Sequence, residues 1–504
     1  HLYAPECVAM LRRLRGMYAF VLWDERKRQL IAGRDPYGIK PLYVADDGGT
    51  IRLASQVKAL LAGGRVDTTP DPAGHVGFHV MGHVPEPFTL YEGIRSLPPG
   101  TALILEDGGR RTEQTIVDIG QVLAEAEPIE CAPEEQVDRL RAALDGSVHA
   151  HLVADVPVGV FLSAGKDSSI LAALAARQVP HVCTVTLGFA EFRDSAADEV
   201  PLAEGSAGVL DTDHRTVLVG REDFLAEHDQ LLDAMDQPSL DGVNSYFVAK
   251  AAHEAGLKVA ISGTGGDELL AGYHYFELVP AVARRTRQVP WWLGRVGAEA
   301  IRPFARMLGN PKLPGLGFIG GDLAKAYLLC RCLNEPFSRR PLIAGIDVER
   351  GLEQLALESR AAAIAGAQTT ERGAVTMLET ALYMRNQLLR DTDWASMAHS
   401  LEVRVPFVDV ELLRCVAPLI NSSRPPTKRL VDRLLGELGL GALVGRPKSG
   451  FGVPMLQWLT ADPRDGYRTW ARQVGERFTT GRSRALPVRR SNRSGGHERP
   501  VVFH

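Results

Sequence analysis

The sequence has no surplus of positive charge and no hydrophobic run long enough to cross a membrane. Its 57 Lys and Arg residues are outnumbered by 61 Asp and Glu residues, so the formal net charge is −4. Because this balance lacks the basic footprint of a nucleic-acid-binding protein, we expect no nucleic-acid partner. Because no apolar run approaches the ~20 residues that span a bilayer, we also expect no membrane partner.

Closely spaced cysteine pairs are scarce as well. The six cysteines are scattered along the chain: Cys7, Cys131, Cys183, Cys330, Cys332 and Cys415. Cys330 and Cys332 are near each other, but they lack the two-residue spacer of a zinc or redox pair. Reduced, unpaired thiols are typical of a cytoplasmic protein, and we expect that location. The chain begins with His1 rather than Met, and we expect it to be a fragment.

The first 118 residues have the pattern of short strands and turns. Apolar and polar residues alternate across residues 16–24, 28–35 and 40–55. Two Asp and two Gly residues interrupt the last run at positions 46–49. This pattern predicts antiparallel hairpins, which together form a β-rich layer that needs a partner.

The pattern changes after residue 118. Residues 119–133 are acidic and contain proline, and we predict a linker there. From residue 134, wholly apolar runs alternate with helical segments of about a dozen residues, which predicts a doubly wound parallel sheet covered on both faces. The helical pattern continues to about residue 470. Residues 471–504 are rich in Arg, Ser and Gly, and we predict a disordered or non-native tail.

An abrupt junction follows the apolar run at residues 158–161. It holds four small or polar residues: Ser163, Gly165, Asp167 and Ser168. A helical pattern starts directly after it, so backbone N–H groups and the positive helix end point to one spot, which suits phosphate. A Walker A motif needs Gly and Ser or Thr where this chain has Val160 and Asp167, which disfavours a P-loop kinase. An ordinary strand-to-helix turn is the alternative interpretation.

A second apolar run ends in a glycine-rich turn with paired acids, in the stretch KVAISGTGGDELLAGY at residues 258–273. Taken singly, either turn could be structural only. Together, they offer Asp167 and Asp267 from neighbouring strand ends. Two carboxylates placed in this way predict a Mg²⁺ bound against a triphosphate.

The motifs resemble those of a known family. SAGKDS resembles the pyrophosphate loop of N-type ATP pyrophosphatases, which is usually SGG, any residue, then DS. LRGMYAFVLWD, GRDPYGIKPLYV and LASQVKALL resemble the later part of a glutaminase domain, while SGTGGDELLAGY, DWASMAHSLEVRVPFVD and RPKSGFGVPMLQWL resemble a synthetase domain. Over about residues 10–460 the chain therefore resembles the class B, glutamine-hydrolysing asparagine synthetase family.

The resemblance implies an α/β fold class. A partial β-rich Ntn-type glutaminase layer (residues 1–118) would precede a doubly wound parallel-sheet ATP pyrophosphatase domain with a helical C-terminal part (residues 134–470). The implied reaction adenylates a carboxylate, aspartate by default, with ATP and Mg²⁺. Ammonia, supplied directly or from glutamine, then forms the amide, and AMP and pyrophosphate are released. The resemblance also leaves room for a homodimer.

The resemblance also assigns candidate site residues. The nucleotide-binding candidates are Leu162, Ser163, Gly165, Asp167, Ser168, Leu187, Ser262 and Gly263. Asp167 and Asp267 would bind magnesium. Lys448 would stabilise the developing pyrophosphate charge. Glu402 is retained as a candidate catalytic residue, although we favour an ion pair with Arg404 that supports the site.

Three residues depart from the family pattern. Thr264 stands where the family usually has Glu, Asp or, in β-lactam synthetases, Tyr, at a position tied to the acyl-adenylate. Since threonine is no carboxylate base, Thr264 favours two alternatives: an amidotransferase or cyclase for a larger carboxylate, and a non-catalytic nucleotide-binding remnant. Ala164 replaces a loop glycine, and Lys166 adds a charge beside the phosphates. An RNA-thiolating pyrophosphatase is a more distant option.

The family's glutaminase nucleophile is an N-terminal cysteine whose α-amino group acts as the base. No such cysteine precedes residue 16 here, since Cys7 is internal and lacks a following glycine. We predict that this 504-residue polypeptide releases no glutamate from glutamine, whereas ammonia can serve as nitrogen donor. Measurable glutamate release by the purified polypeptide would contradict the first part.

Overall fold

The computed structural model of the chain describes residues 10–305, 307, 310–337, 346–446, 452–459 and 466–480. The chain divides into two compact units. The first unit comprises His1–Ser147, Thr264–Asp393 and Val405–Leu430, and the second comprises Val148–Gly263, Trp394–Arg404 and Val431–His504. In the described part of the chain, no helix combines the length and the apolar character needed to span a membrane.

The strands of the described residues are β1 (Ala19–Asp24), β2 (Gln29–Arg34), β3 (Tyr43–Asp46), β4 (Ile51–Ala54), β5 (Ile94–Ser96), β6 (Thr101–Glu106), β7 (Arg111–Thr115), β8 (Val158–Phe161), β9 (Cys183–Phe189), β10 (Asp213–Val219), β11 (Val259–Ile261) and β12 (Glu402–Arg404).

The α-helices of the described residues are α1 (Val57–Gly63), α2 (Pro72–Met81), α3 (Ile119–Ala124), α4 (Pro133–Leu152), α5 (Lys166–Gln178), α6 (Val200–Leu210), α7 (Arg221–Ala234), α8 (Val243–Glu254), α9 (Gly266–Leu270), α10 (Tyr275–Thr286), α11 (Trp291–Ile301), α12 (Leu323–Arg331), α13 (Val348–Leu355), α14 (Leu357–Gly366), α15 (Glu371–Leu378), α16 (Arg390–Met397), α17 (Val410–Ile420), α18 (Lys428–Glu437), α19 (Met455–Leu459) and α20 (Gly466–Thr480). A π-helix, Glu379–Leu389, joins α15 to α16.

The first unit contains two antiparallel sheets, as the alternating pattern predicts. Their strand orders are β1-β2-β6-β7 and β4-β3-β5. The predicted turn at residues 46–49 connects β3 to β4, where Asp47 Oδ1 accepts hydrogen bonds from the backbone N–H groups of Gly49 and Thr50. Asx contacts of this kind close tight turns. The β-rich layer is thereby confirmed.

The two antiparallel sheets pack face to face. Ala32 of β2 and Val44 of β3 lie in one buried cluster, which joins the inner faces of both sheets. Neighbouring residues point the opposite way, because side chains alternate along a strand. Ile31 packs outward against a cluster around Leu11, and Ala45 packs outward against α1. Each sheet therefore has apolar cover on both faces.

The second unit contains a parallel sheet with strand order β10-β9-β8-β11-β12. Val185 of β9 packs in a cluster with Ala249 and Ala252 of α8. Gly188 points to the opposite face, where a Cβ would lie 2.5 Å from Val200 Cγ2 of α6. Helices thus cover both faces, and the predicted doubly wound sheet is confirmed.

Helices lie within the predicted linker and at the start of the predicted tail. Residues 119–124 of the expected linker form α3, because the Asp118 side chain accepts a hydrogen bond from the backbone N–H of Gly120 and caps the helix. Residues 471–480 of the expected tail belong to α20. Trp470 anchors that helix, since its indole is fully buried and donates to the Leu240 carbonyl over 3.2 Å. Residues 481–504 lie outside the described residues.

We expect Trp470→Ala to lower the free energy of unfolding by about 3–5 kcal/mol, because it removes a fully buried aromatic side chain. Denaturant-induced unfolding measures the change. Trp23→Ala is the matched control, since the Trp23 side chain is 51% exposed and should matter by less than about 1 kcal/mol. Equal unfolding midpoints for the two variants would show that α20 contributes little to the stability of the second unit.

Candidate active site

Two neighbouring parallel strands of the second unit carry the predicted loops. β8 pairs with β11, and Val160 lies beside Ile261. Because the strands are parallel, the chain leaves both at the same edge of the sheet. The stretches that begin at Leu162 and Ser262 therefore start side by side, as the two motifs predict.

The loop after β8 is held by its own serine hydroxyls. Ser163 Oγ accepts a hydrogen bond from the Gly165 backbone N–H over 3.0 Å, and Ser168 Oγ accepts one from the Ser163 backbone N–H over 3.2 Å. The two hydroxyl oxygens are 3.0 Å apart. Oriented N–H groups before a helix N-terminus form an anion-binding arrangement, and here the hydroxyls occupy two of these donors.

The loop after β11 contacts the loop after β8. A Cβ on Gly263 would lie 3.0 Å from the backbone nitrogen of Ser168 and 3.2 Å from Asp167 Cβ. Any larger residue at position 263 would push against the start of α5. The glycine in SGTGGDE therefore permits a close approach of the two loops.

Lys166 is the first residue of α5 and forms an ion pair with Asp432 of α18, with Nζ and Oδ1 2.6 Å apart. A cation in the first turn of a helix opposes the helix dipole, so the carboxylate offsets an unfavourable placement. Asp432 Oδ1 also accepts the backbone N–H of Gly445 over 3.2 Å. Lys166 thus lies against protein rather than facing open solvent.

The departure at Ala164 costs the loop no backbone strain. Ala164 is not among the non-glycine residues with a positive φ, and its methyl group is buried. Since the left-handed region is what makes glycine necessary in a turn, alanine fits this position.

Leu162 and Leu187 have almost fully buried side chains. The backbone N–H of Leu162 donates to the Val185 carbonyl, and its own carbonyl accepts the Thr186 hydroxyl. Any contact of these two leucines with a nucleotide would therefore come from main-chain atoms. The backbone N–H of Ser262 is likewise engaged, because it donates to the Arg404 carbonyl over 2.8 Å.

Glu402 lies away from the two loops. It pairs with Val259 at the amino end of the short strands β11 and β12, while the loops leave the carboxyl end. Glu402 Oε1 accepts a hydrogen bond from Arg404 Nε over 2.7 Å. Arg404 Nη1 in turn donates to the carbonyls of His151 and Val153 over 2.7 Å. This geometry suits a structural ion pair.

Thr264 and Asp267 belong to the first unit, in and after the glycine turn. Gly265 has φ +95°, and a Cβ there would lie 2.5 Å from Val408 Cγ2, so this position needs glycine. Asp267 Oδ1 lies 3.1 Å from Lys428 Nζ. A Cβ on Gly272 would lie 1.6 Å from Asp267 Oδ1, so Gly272 leaves the space that the carboxylate occupies.

Glu268 is a buried acid beside a small cavity of the first unit. Burial, followed by the negative charges of Asp267 and Glu379, raises the pKa of Glu268 to about 7. Its Oε1 accepts the Tyr273 hydroxyl over 3.0 Å, and its Oε2 has no hydrogen-bond partner. The cavity of about 20 Å³ has room for one water molecule. Glu268 can therefore hold a proton near neutral pH.

Lys448 lies outside the described residues. Sequence reasoning missed Asp432 and Lys428, the partners of Lys166 and Asp267. The sequence shows that Lys166 is an unusual cation in the loop after β8. No sequence pattern connects it with Asp432, which lies far along the chain.

The described acids fit magnesium only as an ion that is bound together with the nucleotide. No three His, Cys, Asp or Glu residues in the described part of the chain form a metal-binding group. Mg²⁺ usually takes one or two carboxylates together with phosphate oxygens and water, so a nucleotide-borne ion needs no larger cluster.

Comparison with known proteins identifies two family models in the chain. The model for asparagine synthase matches residues 139–485, and the model for a glutamine amidotransferase domain matches residues 1–115. The first match alone spans more than half of the 504 residues.

Individual relatives agree with the models. A Mycobacterium tuberculosis protein named "Putative asparagine synthetase (glutamine-hydrolyzing)" is 32% identical over 464 residues, which cover 90% of this chain and 69% of the relative. Asparagine synthetase (glutamine-hydrolyzing) 1 of Bacillus subtilis is 26% identical over 467 residues, covering 92% and 71%. Amidase chyE of Penicillium rubens is 32% identical over 299 residues, covering 55% and 42%.

Among solved structures, the allosteric regulatory enzyme of purine biosynthesis is matched over 35% of this chain and 33% of that chain. The identity is 19% and the TM-score is 0.15, which is too low to support a fold comparison. The family models and the relatives do not depend on this structural match. They show that this chain belongs to the asparagine synthase family.

Proposed function

We propose that the chain adenylates a carboxylic acid, aspartate by default, and passes ammonia to the activated acyl group, with release of AMP and pyrophosphate. Family membership already assigns an ATP-dependent amidotransferase ligase with a carboxylate and glutamine or ammonia as substrates. The observation that carries the proposal is the contact between the two glycine-containing loops at one edge of the parallel sheet.

The loop after β8 supplies the phosphate site in this proposal. The hydroxyl groups of Ser163 and Ser168 accept hydrogen bonds from two backbone N–H groups. These N–H groups would otherwise be able to donate to phosphate oxygens. Hydroxyl groups rotate readily, so each can turn from accepting a backbone hydrogen bond to donating one to phosphate. The N-terminus of α5, a helix of 13 residues, adds its dipole to the same spot.

The chemistry needs a good leaving group at each of two steps. A carboxylate oxygen attacks the α-phosphorus of ATP, and pyrophosphate leaves with the electron pair of the α,β-bridge. Ammonia then attacks the acyl carbon, loses a proton and displaces AMP. Mg²⁺ bound with the nucleotide supplies charge neutralisation, and Asp167 and Asp267 are the carboxylates proposed to hold it. Lys448 is proposed to neutralise the departing pyrophosphate.

A larger carboxylate is the second candidate substrate. It is favoured by Thr264, a neutral side chain where the family has an acid or a tyrosine. Aspartate carries an ammonium group that a carboxylate could recognise, and threonine offers only a hydroxyl. Assembly as a homodimer and a cytoplasmic location remain parts of the proposal.

An ATP–pyrophosphate exchange assay tests the proposed function. With Mg-ATP and labelled pyrophosphate, we expect aspartate or another carboxylic acid to promote label exchange into ATP. Asp167→Asn should reduce that exchange by about 100-fold or more, because it removes a proposed Mg²⁺ ligand. Asp155→Asn, at an exposed position just before β8, is the control and should leave exchange unchanged.

Two results would separate the alternatives. Exchange with larger acids and none with aspartate would assign the second candidate. ATP binding without exchange for any carboxylic acid would overturn the proposal and leave a nucleotide-binding remnant.

The ion pair of Lys166 and Asp432 predicts opposite effects for its two halves. Lys166→Gln leaves the Asp432 carboxylate uncompensated beside the phosphate loop, and we expect Mg-ATP to bind about tenfold more weakly. Asp432→Asn leaves the cation, so ATP affinity should stay the same or rise. Calorimetric titration with Mg-ATP measures both.

The double variant completes this comparison. Lys166→Gln with Asp432→Asn should recover most of the affinity lost in Lys166→Gln, since both charges are gone. Wild-type affinity in all three variants would mean that the pair stabilises the loop without influencing the nucleotide.

A further inference from the structure

Three large apolar residues of helix α11 face solvent. Trp292 is 56% exposed, Leu293 49% and Val296 63%. With about 100° between successive residues, these three side chains share one stripe of the helix. An amphipathic helix of a globular protein normally packs such a stripe against the core.

Small residues form the packed side of α11. Gly294 and Ala298 are buried, and they lie on the opposite side from the exposed stripe. A Cβ on Gly294 would lie 2.5 Å from the Gly317 carbonyl oxygen, and one on Gly317 would lie 2.0 Å from the Gly294 carbonyl oxygen. The helix is therefore docked by close backbone contact, and the exposed side chains of Trp292, Leu293 and Val296 do not take part in that packing.

The exposed stripe has apolar neighbours. Val289 lies just before the helix, and Phe304 and Leu316 follow it, all with exposed side chains. Single exposed apolar residues are common, but a concentration of them around one helix marks an interaction site.

The segment around α11 contains more basic than acidic residues, although Glu277 and Asp322 flank it. Residues 278–321 contain one acid, Glu299, and seven basic residues: Arg284, Arg285, Arg287, Arg295, Arg302, Arg306 and Lys312. Arg284 pairs with Glu371, and Arg302 pairs with Glu299 and Glu335, so part of this charge is compensated. Arg285 and Arg287, which precede α11 by a few residues, are exposed.

The combination of exposed apolar side chains and arginines favours one kind of binding partner over the others. A second copy seated on the same face would bring two basic surfaces together, which disfavours self-association. A single-stranded nucleic acid would meet the arginines and stack a base on Trp292, but it would leave the aliphatic side chains of Leu293 and Val296 unused. An anionic lipid surface satisfies both features, since apolar side chains insert below headgroups that attract the arginines.

We propose that α11 and its flanking residues bind the surface of a membrane that contains anionic phospholipid. The expectation of no membrane partner rested on the length of apolar runs, which detects spanning helices only. An interfacial helix needs a stripe rather than a run. This assignment does not depend on the reaction proposed above.

Vesicle flotation tests the assignment. We expect the full chain to float with vesicles of phosphatidylcholine and phosphatidylglycerol, to float much less with phosphatidylcholine alone, and to be released by high salt. Trp292→Ser combined with Leu293→Ser should weaken binding by more than about tenfold, because the inserted apolar area is lost. Arg285→Gln with Arg287→Gln should weaken binding to the anionic vesicles as well.

Trp23→Ser is the matched control, since Trp23 is exposed to a similar degree on β1 of the first unit. It should bind as the wild type does, and thermal unfolding confirms that each variant is folded. Absence of flotation, or equal flotation of Trp292→Ser/Leu293→Ser and wild type, would overturn the assignment. So would a dimer that this double variant abolishes, or binding to an RNA homopolymer that only the arginine variant weakens.

Discussion

The pairing of two parallel strands, β8 and β11, is the constraint on which the candidate site depends. It places the carboxyl ends of both strands at one edge of the sheet, where a Cβ on Gly263 would lie 3.0 Å from the Ser168 backbone nitrogen and 3.2 Å from Asp167 Cβ. A side chain at position 263 would therefore crowd the start of α5. Backbone N–H groups, a helix N-terminus and Asp167 are thereby brought together, and an arrangement of this kind suits a phosphate group.

Charged residues of the two motifs are balanced by residues that are remote in sequence. Lys166 pairs with Asp432, and Asp267 pairs with Lys428, each within one unit of the chain. Lys166 opposes the dipole of its own helix, and Asp432 offsets that cost. Glu268 is the contrasting case: it is buried without a cation, so its pKa rises to about 7. The two neighbouring acids of one motif therefore differ in their surroundings, since Asp267 lies beside a lysine and Glu268 lies beside a small cavity.

The three departures from the family pattern differ in their physical consequences. Ala164 is accommodated, since its backbone does not need the left-handed conformation. Lys166 is compensated by an acid. The change at Thr264 alters the chemistry itself, because a hydroxyl group cannot replace a carboxylate as a base. Under the proposed function, we therefore expect the choice of acceptor acid to depend on this position more than on the phosphate loop. The exposed stripe of α11 adds a surface of the first unit for which we propose a separate role.

The sequence by itself determined the antiparallel layer and the doubly wound parallel sheet. It also determined the two glycine-containing motifs that follow β8 and β11. Alternation, apolar runs and glycine turns are local properties, so they can be recognised in the sequence alone. The tertiary structure decided the rest. Local pattern could not show that Glu402 lies at the amino end of β12, that α20 continues past Trp470, or that α11 packs through Gly294 and Ala298. Each of these depends on contacts with residues far away in sequence, and only folding brings such partners together.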